Sequence, residues 1–547
     1  MEELAARTQD RYWGPDGFGG ALRREQHFGG RVMRCFAERP ANLAAMLDDL
    51  VRRYPARPAI IEDDRTITYG ELDGIAAAAA AGLAAEGIGA GDRVALFLGN
   101  CWEFLATLFA CHRLGAIAVP IGTRQRRAEL EFLLGDCGAR VLIFEAKLWE
   151  AVPPPESLGH SLRLFVARGE VPGVRPFAAL LKSAPPPLRP AIGEEDTAVI
   201  LYTSGTTGRP KGARLTHLGI IHSAITFARC FGLGAEDRGL VAVPLAHVTG
   251  LVAVSLTSMI VGGAVVLMYR EYKTDPFLEL ASRARITFSI LVPAIYTLAA
   301  NHADLARYDL RAWRVGCFGG APMPVATIET LAQKLPHLDL LNAYGATETT
   351  SPTTIMPRAC WRDHVDSVGQ VVPCGEVKVV DERDAPVPPG TPGELLIAGP
   401  MVVPGYWQRP EANASEFADG FWRSGDIGTI DAEGFVRVFD RRKDMINRGG
   451  FKIFSAEVEN VLMGLAGVAE CAIVGRPDPV LGERVHAFVV PQDGAALASE
   501  DVRQFCAARL ADYKVPETVT IERAPLPRNA NGKIQKAELR ERAVAGA

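Results

Sequence analysis

The sequence predicts an α/β fold built on mainly parallel strands, followed by a smaller α+β unit. Three observations carry this. Apolar, strand-like runs alternate with amphipathic stretches through most of the chain before residue 370, the pattern of parallel strands joined by helices that cover both faces of a sheet. After residue 370 the texture changes to short strands separated by turn signals. From about residue 444 to the end, helices and strands alternate on their own. A chain of 547 residues has room for about three or four structural units.

Taken in order, the strand candidates are "DRVALFLG" (92–99), "AIAVPIG" (116–122), "RVLIFE" (140–145), "ITFSILVP" (286–293) and "RVGCFGG" (314–320). Helix candidates include 275–285 and 325–335. The Pro- and Gly-rich stretches 151–159 and 183–193 read as surface connections. Residues 251–268, "LVAVSLTSMIVGGAVVLM", approach the length of a membrane span, but Gly262 and Gly263 split them. A helix followed by a core strand is the better reading. The β-rich part holds "GEVKVVDERDAPVPPGTPGELLIAG" (375–399) and "GTIDAEGFVRVFDRR" (428–442). Helices near 455–464 and 499–511 then alternate with strands at 469–475 and 485–492. The polar run "DRRKDMINRGG" (440–450) is the best linker, giving an amino-terminal domain 1–440, a hinge 441–450 and a carboxyl-terminal domain 451–547.

Composition excludes several classes. With 48% hydrophobic and 22% charged residues the chain is ordinary globular protein. A net charge of -5 and a pI near 6.1 argue against a nucleic-acid or anionic-membrane partner. The ten cysteines form no C-x-x-C pair and no cluster at zinc spacing. They read as reduced thiols of a cytoplasmic protein without a structural metal. "MEELAARTQDRYW" lacks the apolar segment of a signal peptide. Oligomeric state, including a homodimer, is left open.

Chemistry concentrates in a few stretches. In "LYTSGTTGRPKGA" (201–213), an apolar strand runs into a loop that cannot continue it. Gly205 and Gly208 allow left-handed turns and close approach to a ligand. Ser204, Thr206 and Thr207 add hydroxyls and Lys211 adds a charge, a donor set suited to polyphosphate. It is not a Walker sequence, because Pro210 precedes Lys211 and no Ser or Thr follows. Further stretches share this character: "PLAHVTGL" (244–251), "FGGAP" (318–322), "NAYGATET" (342–349), "WRSGDIG" (422–428) with Asp426 in a turn, and "PRNANGKIQK" (527–536).

In this order and spacing, these stretches resemble the adenylate-forming superfamily of acyl-CoA synthetases, peptide-synthetase adenylation domains and luciferases, from about Thr66 to Lys536. The resemblance implies a large amino-terminal domain of two mainly parallel, helix-covered sheets plus a β-rich subdomain, and a small mobile α+β carboxyl-terminal domain. It implies that Thr203, Ser204, Gly205, Thr206, Thr207, Gly208 and Lys211 hold ATP phosphates. Gly319, Gly320, Ala321, Pro322, Asn342, Ala343 and Tyr344 would form the adenine pocket, with Tyr344 stacked on the base, and Gly345 and Thr347 would also bind ATP or AMP. Glu348, supported by the hydroxyl of Thr347 or Thr203, would take Mg²⁺, a hard cation content with one carboxylate plus phosphate oxygens. Asp426 and Arg441 would grip the ribose. Lys533 would bridge the substrate carboxylate and the α-phosphate, bringing two anions together. Gly449 and Gly450 would open the channel for CoA, and Lys443 would be the hinge.

His247 carries two readings, a satisfied core histidine or the carboxylate end of an acyl tunnel. The tunnel itself would use Val248, Leu251, Cys317 and Ala346, which are apolar or small. "PLAHVTGLVAV" holds no acidic residue to pair with an amino-acid ammonium, and no carrier-domain pattern follows Lys536. The reading is therefore an ATP-dependent acid–CoA ligase acting through an acyl-adenylate, with a medium- or long-chain fatty acid as substrate. Alternatives are an aryl or cinnamoyl acid, transfer to a carrier protein, a catalytically silent nucleotide binder, or a peripheral membrane carrier of acyl chains.

Overall fold

The strand Arg93–Phe97 is buried along almost its whole length, as a strand covered on both faces must be. Its side chains alternate between two cores: Val94 and Leu96 join one, Ala95 and Phe97 the other. This is the central strand of a seven-stranded sheet, ordered Lys211–Thr216, Thr197–Thr203, Ile117–Pro120, Arg93–Phe97, Val141–Glu145, Arg163–Arg168 and Arg175–Pro176. All neighbours run parallel except Lys211–Thr216, which turns back along Thr197–Thr203.

The computed structural model describes residues 11–14, 17–158, 161–182, 189–203, 209–321, 323–528 and 533–545. They fall into two compact units. The first comprises 1–377, 397–422 and 433–436, and the second 378–396, 423–432 and 437–547.

The first unit holds a second parallel run. Asp339–Tyr344, Val315–Gly319, Phe288–Leu291, Arg238–Val241, Ala264–Leu267 and Pro58–Glu62 lie side by side and all run the same way. Antiparallel strands follow beyond Asp339–Tyr344, at Thr354–Ile355 and Gly369–Val371. Helices form where the sequence signals them. Thr68 and Glu71 close a capping box on Tyr69–Ala85, each side chain meeting the other's backbone N–H. The expected helices near 275 and 325 are Thr274–Arg283 and Val325–Lys334. Residues 251–268 are indeed helix and then strand, ending in Ala264–Leu267. No described helix is long and apolar enough to cross a membrane. One detail was not expected: Thr249–Leu256 is a π-helix, a wide coil often kept for functional sites.

In the second unit, Val468–Asp478 and Gly482–Pro491 form a long antiparallel pair, flanked by Ile446–Arg448, Phe451–Ile453 and Thr518–Ile521. Period-two alternation splits its faces. Ile473, Val485 and Val489 join Val458, Leu462 and Val502 in one core, while Val474 and Phe488 pack with Leu539 and Ala543 in the other. The polar run 440–450 is more structured than its composition suggests. It starts in the strand Phe435–Arg441 and ends in a hairpin of Ile446–Arg448 with Phe451–Ile453. Gly449 and Gly450 make the turn at φ 59 and 91, where side chains with a Cβ are strained.

Candidate active site

The strand Thr197–Thr203, which leads to the candidate phosphate loop, and its return strand are in register, Thr203 opposite Lys211. Ser204, Gly205, Thr206, Thr207 and Gly208, and likewise Pro322, lie outside the described residues. Lys211 is only 8% exposed. Its ammonium pairs with Glu416 and sits over the Tyr406 ring, 4.4 Å from the centroid. The Tyr406 hydroxyl in turn lies 2.8 Å from Glu416 Oε2 and 2.9 Å from Glu348 Oε1. Burial and the two carboxylates push the Tyr406 phenol far above its ordinary pKa, so it remains a donor. Glu348 is itself 8% exposed, and its carbonyl accepts from Val403. A cation on a strand of one sheet and a carboxylate in the turn that follows Asp339–Tyr344 of the other are thus joined by one tyrosine.

Tyr406 is held by the backbone. Gly405–Trp407 runs antiparallel along the return strand, with Arg214 N donating to Gly405 O and Trp407 N to Gly212 O. Asn413 closes the turn by bonding both backbone groups of Tyr406. Thr203, proposed as a second metal support, directs its hydroxyl to Lys211 O at 3.4 Å, not to Glu348.

The adenine candidates sit at the carboxyl ends of neighbouring parallel strands, Gly319 opposite Ala343 and Phe318 opposite Asn342. A Cβ on Gly319 would meet Ala343 O at 2.4 Å. The resemblance assigns this glycine to the base, but the adjoining strand already demands it. Gly320, at φ 78, faces open space, and Ala321 is exposed. Asn342 donates its amide to Ser367 O at 3.0 Å, a bond that fixes the side chain. Tyr344 ends its strand half-buried. Gly345, Ala346 and Thr347 follow in a turn closed by Thr349, whose hydroxyl accepts from Ala346 N at 2.9 Å.

His247 is half-buried, and its carbonyl accepts from Leu251 N at the head of the π-helix. Gly250 lets this coil touch the preceding loop, since a Cβ there would meet Pro244 O at 2.4 Å. That loop is organised by Asn100, whose amide donates to Val243 O and accepts from Leu245 N. Neither Asn100 nor Tyr406 nor Glu416 was singled out from the sequence. Only "LGN" after a strand hinted at the first. Of the tunnel candidates, Leu251 and Cys317 are fully buried, Val248 nearly so, and Ala346 half-buried.

In the second unit the ribose candidates meet: Arg441 Nε is 3.4 Å from Asp426 Oδ1. Asp426 does not lie in a turn, as its flanking Ser-Gly suggested. It belongs to the strand Phe421–Ile430, kinked at Gly425 with φ 68. The neighbouring strand returns past it, with Arg442 N donating to Gly425 O. Lys533 is exposed and lies three residues before the start of the helix Lys536–Ala545. That helix is anchored hard. Lys536 pairs with Glu459 at 2.7 Å and donates to Ser455 Oγ, which bonds Asp440. Arg540 binds Asp444 and the carbonyl of Lys443. The candidate hinge and the loop carrying Lys533 are therefore tied to one helix. Gly449 and Gly450 are exposed at their hairpin.

Two parallel sheets in the first unit, and a second unit of α+β make that carries an exposed lysine, are the fold of a nucleotide-dependent acid-activating enzyme. The family model of the AMP-binding enzyme matches residues 47–407, and that of the AMP-binding enzyme C-terminal domain matches 457–533. The chain belongs to this family, within its acyl-CoA synthetase branch. A feruloyl-CoA synthase of Amycolatopsis sp. is 37% identical over 491 residues, covering 90% of this chain and 97% of the relative. A long-chain-fatty-acid–CoA ligase of Mycobacterium tuberculosis, FadD13, is 34% identical over 511 residues, covering 91% and 98%. Among solved structures, the o-succinylbenzoate CoA synthetase of Bacillus subtilis with its acyl-adenylate intermediate superposes with a TM-score of 0.80 at 30% identity, covering 90% and 97%. The same enzyme with ATP and magnesium gives 0.81 at 30%, covering 91% and 98%.

Proposed function

We propose that the chain joins a hydrophobic carboxylic acid to CoA, with MgATP as the activating substrate. The observation that carries this is the Lys211–Glu416–Tyr406–Glu348 cluster, which sets a cation and a hard oxygen ligand at the ends of two sheets. A carboxylate at Glu348 has the donor chemistry Mg²⁺ prefers. Lys211 and the loop before it would hold the phosphates, Gly319–Ala321 and Asn342–Tyr344 the base, and Asp426 with Arg441 the ribose. Lys533 would steady the acid against the α-phosphorus. The carboxylate oxygen attacks that phosphorus and pyrophosphate leaves. The CoA thiol then attacks the acyl carbon and AMP leaves.

The buried apolar wall of Val248, Leu251 and Cys317 supports a hydrophobic tail. A medium or long fatty chain is the first reading, and an aryl-propenoic acid the second, favoured by the feruloyl-CoA synthase likeness. A cytoplasmic setting is supported by ten unbridged cysteines, nine of them buried. A panel of acids assayed for AMP release with CoA tests the substrate. For straight chains, kcat/KM should improve by roughly 0.8 kcal/mol per buried CH₂ until the tunnel is full. Acetate or malonate outperforming octanoate and cinnamate would contradict the apolar pocket.

A further inference from the structure

The phenol of Tyr406 has one proton and faces two carboxylate oxygens, at 2.8 Å and 2.9 Å. It can donate to one at a time. Its ring meanwhile supports the Lys211 ammonium, whose other partner is Glu416. All four groups are packed in the first unit, where hydrogen bonds and charges act strongly on one another. Removing any one therefore changes the setting of the other three.

We propose that Tyr406 and Glu416 are positioning residues for the adenylation step. They hold Lys211 and Glu348 as one electrostatic unit across the seam between the two sheets, so that phosphate and magnesium meet groups already fixed in place. Glu416 keeps the ammonium from folding onto Glu348 directly, which would neutralise the metal ligand. Tyr406 keeps Glu348 oriented by a bond that its hydroxyl can shift to Glu416 when the metal claims the carboxylate. The backbone bonds of Gly405–Trp407 to the return strand transmit this arrangement to the base of the phosphate loop. The proposal rests on the ATP-site roles given above to Lys211 and Glu348.

Tyr406→Phe keeps the ring and its packing and removes both hydroxyl bonds. In ATP–pyrophosphate exchange it should raise the KM for MgATP about tenfold, the scale of a lost bond to a charged group. The KM for the acid and the melting temperature should stay near wild type. Tyr406→Phe combined with Glu348→Gln should be no worse than Glu348→Gln alone, because the hydroxyl acts through that carboxylate. Glu416→Gln should raise the MgATP KM in the same direction, and not further when Lys211→Met is already present. Additive effects, an unmoved MgATP KM, or a fall in melting temperature with KM unchanged would each overturn the proposal. If Glu348→Gln and Lys211→Met exchange like wild type, the ATP-site reading itself fails and the proposal falls with it. If those two are impaired and Tyr406→Phe is not, only the proposal falls.

Discussion

The candidate phosphate-side residues and the lysine-bearing unit are built on opposite plans. In the first unit, Lys211 and Glu348 are buried and bonded to protein partners. In the second, Lys533 is exposed and the Arg441 side chain is 46% exposed, while the residues behind them are locked. Preorganisation thus lies in the proposed ligand-binding groups themselves in the first unit, and in the supports in the second. A fixed site can bind a triphosphate cheaply, because its dipoles and charges need little rearrangement. A unit that, as proposed, presents a lysine for one reaction and an open glycine turn for the next would be better served by a rigid body with exposed working residues.

The sharpest way to break this comparison is to remove the exposed lysine. Lys533→Ala should reduce acyl-adenylate formation by about 10²-fold or more, as expected for a charge aimed at the transition state. CoA attack on supplied acyl-adenylate should be nearly intact. Gly449→Leu should show the mirror pattern. Because Gly449 sits at φ 59 with Leu481 3.3 Å from a built Cβ, Gly449→Asn, which tolerates that backbone, separates strain from a blocked path. Equal loss of both half-reactions in both variants would show that the second unit does not alternate.

Next in size is the ribose pair. Asp426→Ala leaves Arg441 without its 3.4 Å partner and should weaken ATP binding by about 1–3 kcal/mol. Unchanged ATP kinetics would remove Asp426 from the site. Smaller in rate, but diagnostic of the supports, is Lys536→Met. It strands the Glu459 carboxylate, whose burial already raises its pKa, and should cost the second unit about 1–3 kcal/mol of stability. Denaturant melts of wild type and variant measure this directly.

A further effect, on stability and not on rate, is that of pH. Burial depresses His217 to about 4 and His222 to about 3, and lowers His112, which lies 5.3 Å ring to ring from His217. In the unfolded chain these rings titrate near 6.5. Between that value and about 4 the unfolded state binds more protons than the folded one. Stability should therefore fall as pH drops from about 6.5 toward 4, by about 1.4 kcal/mol per unit for each such histidine. His217→Gln should flatten that slope in melts taken from pH 7 to 4. An unchanged slope would mean that the ring does not stay neutral in the fold.

Much of this was legible in the sequence because it is local. The alternation of "VALF", "VLIFE" and "FSIL" with amphipathic runs fixed the parallel layers, and the Thr68–Glu71 capping box is written within four consecutive residues. The pairing of Asp426 with Arg441 was also within reach, since both lie in recognisable motifs. Tyr406 and Glu416 were not. Nothing in "GYWQRP" or in a surface-like glutamate points to Lys211, because the contact arises only when two sheets are packed. The π-helix after His247 was hidden for a related reason, as an apolar run reads the same whether its coil is narrow or wide.

The central claim is that a carboxylate oxygen bonds to the α-phosphorus before CoA attacks. Incubating the protein with MgATP, CoA and octanoate or cinnamate carrying ¹⁸O in the carboxylate, and weighing the AMP by mass spectrometry, tests it most directly. The acyl-adenylate route predicts one ¹⁸O in the AMP and none in the pyrophosphate, with the thioester formed in equal amount. Unlabelled AMP, or ADP with labelled phosphate, would contradict it.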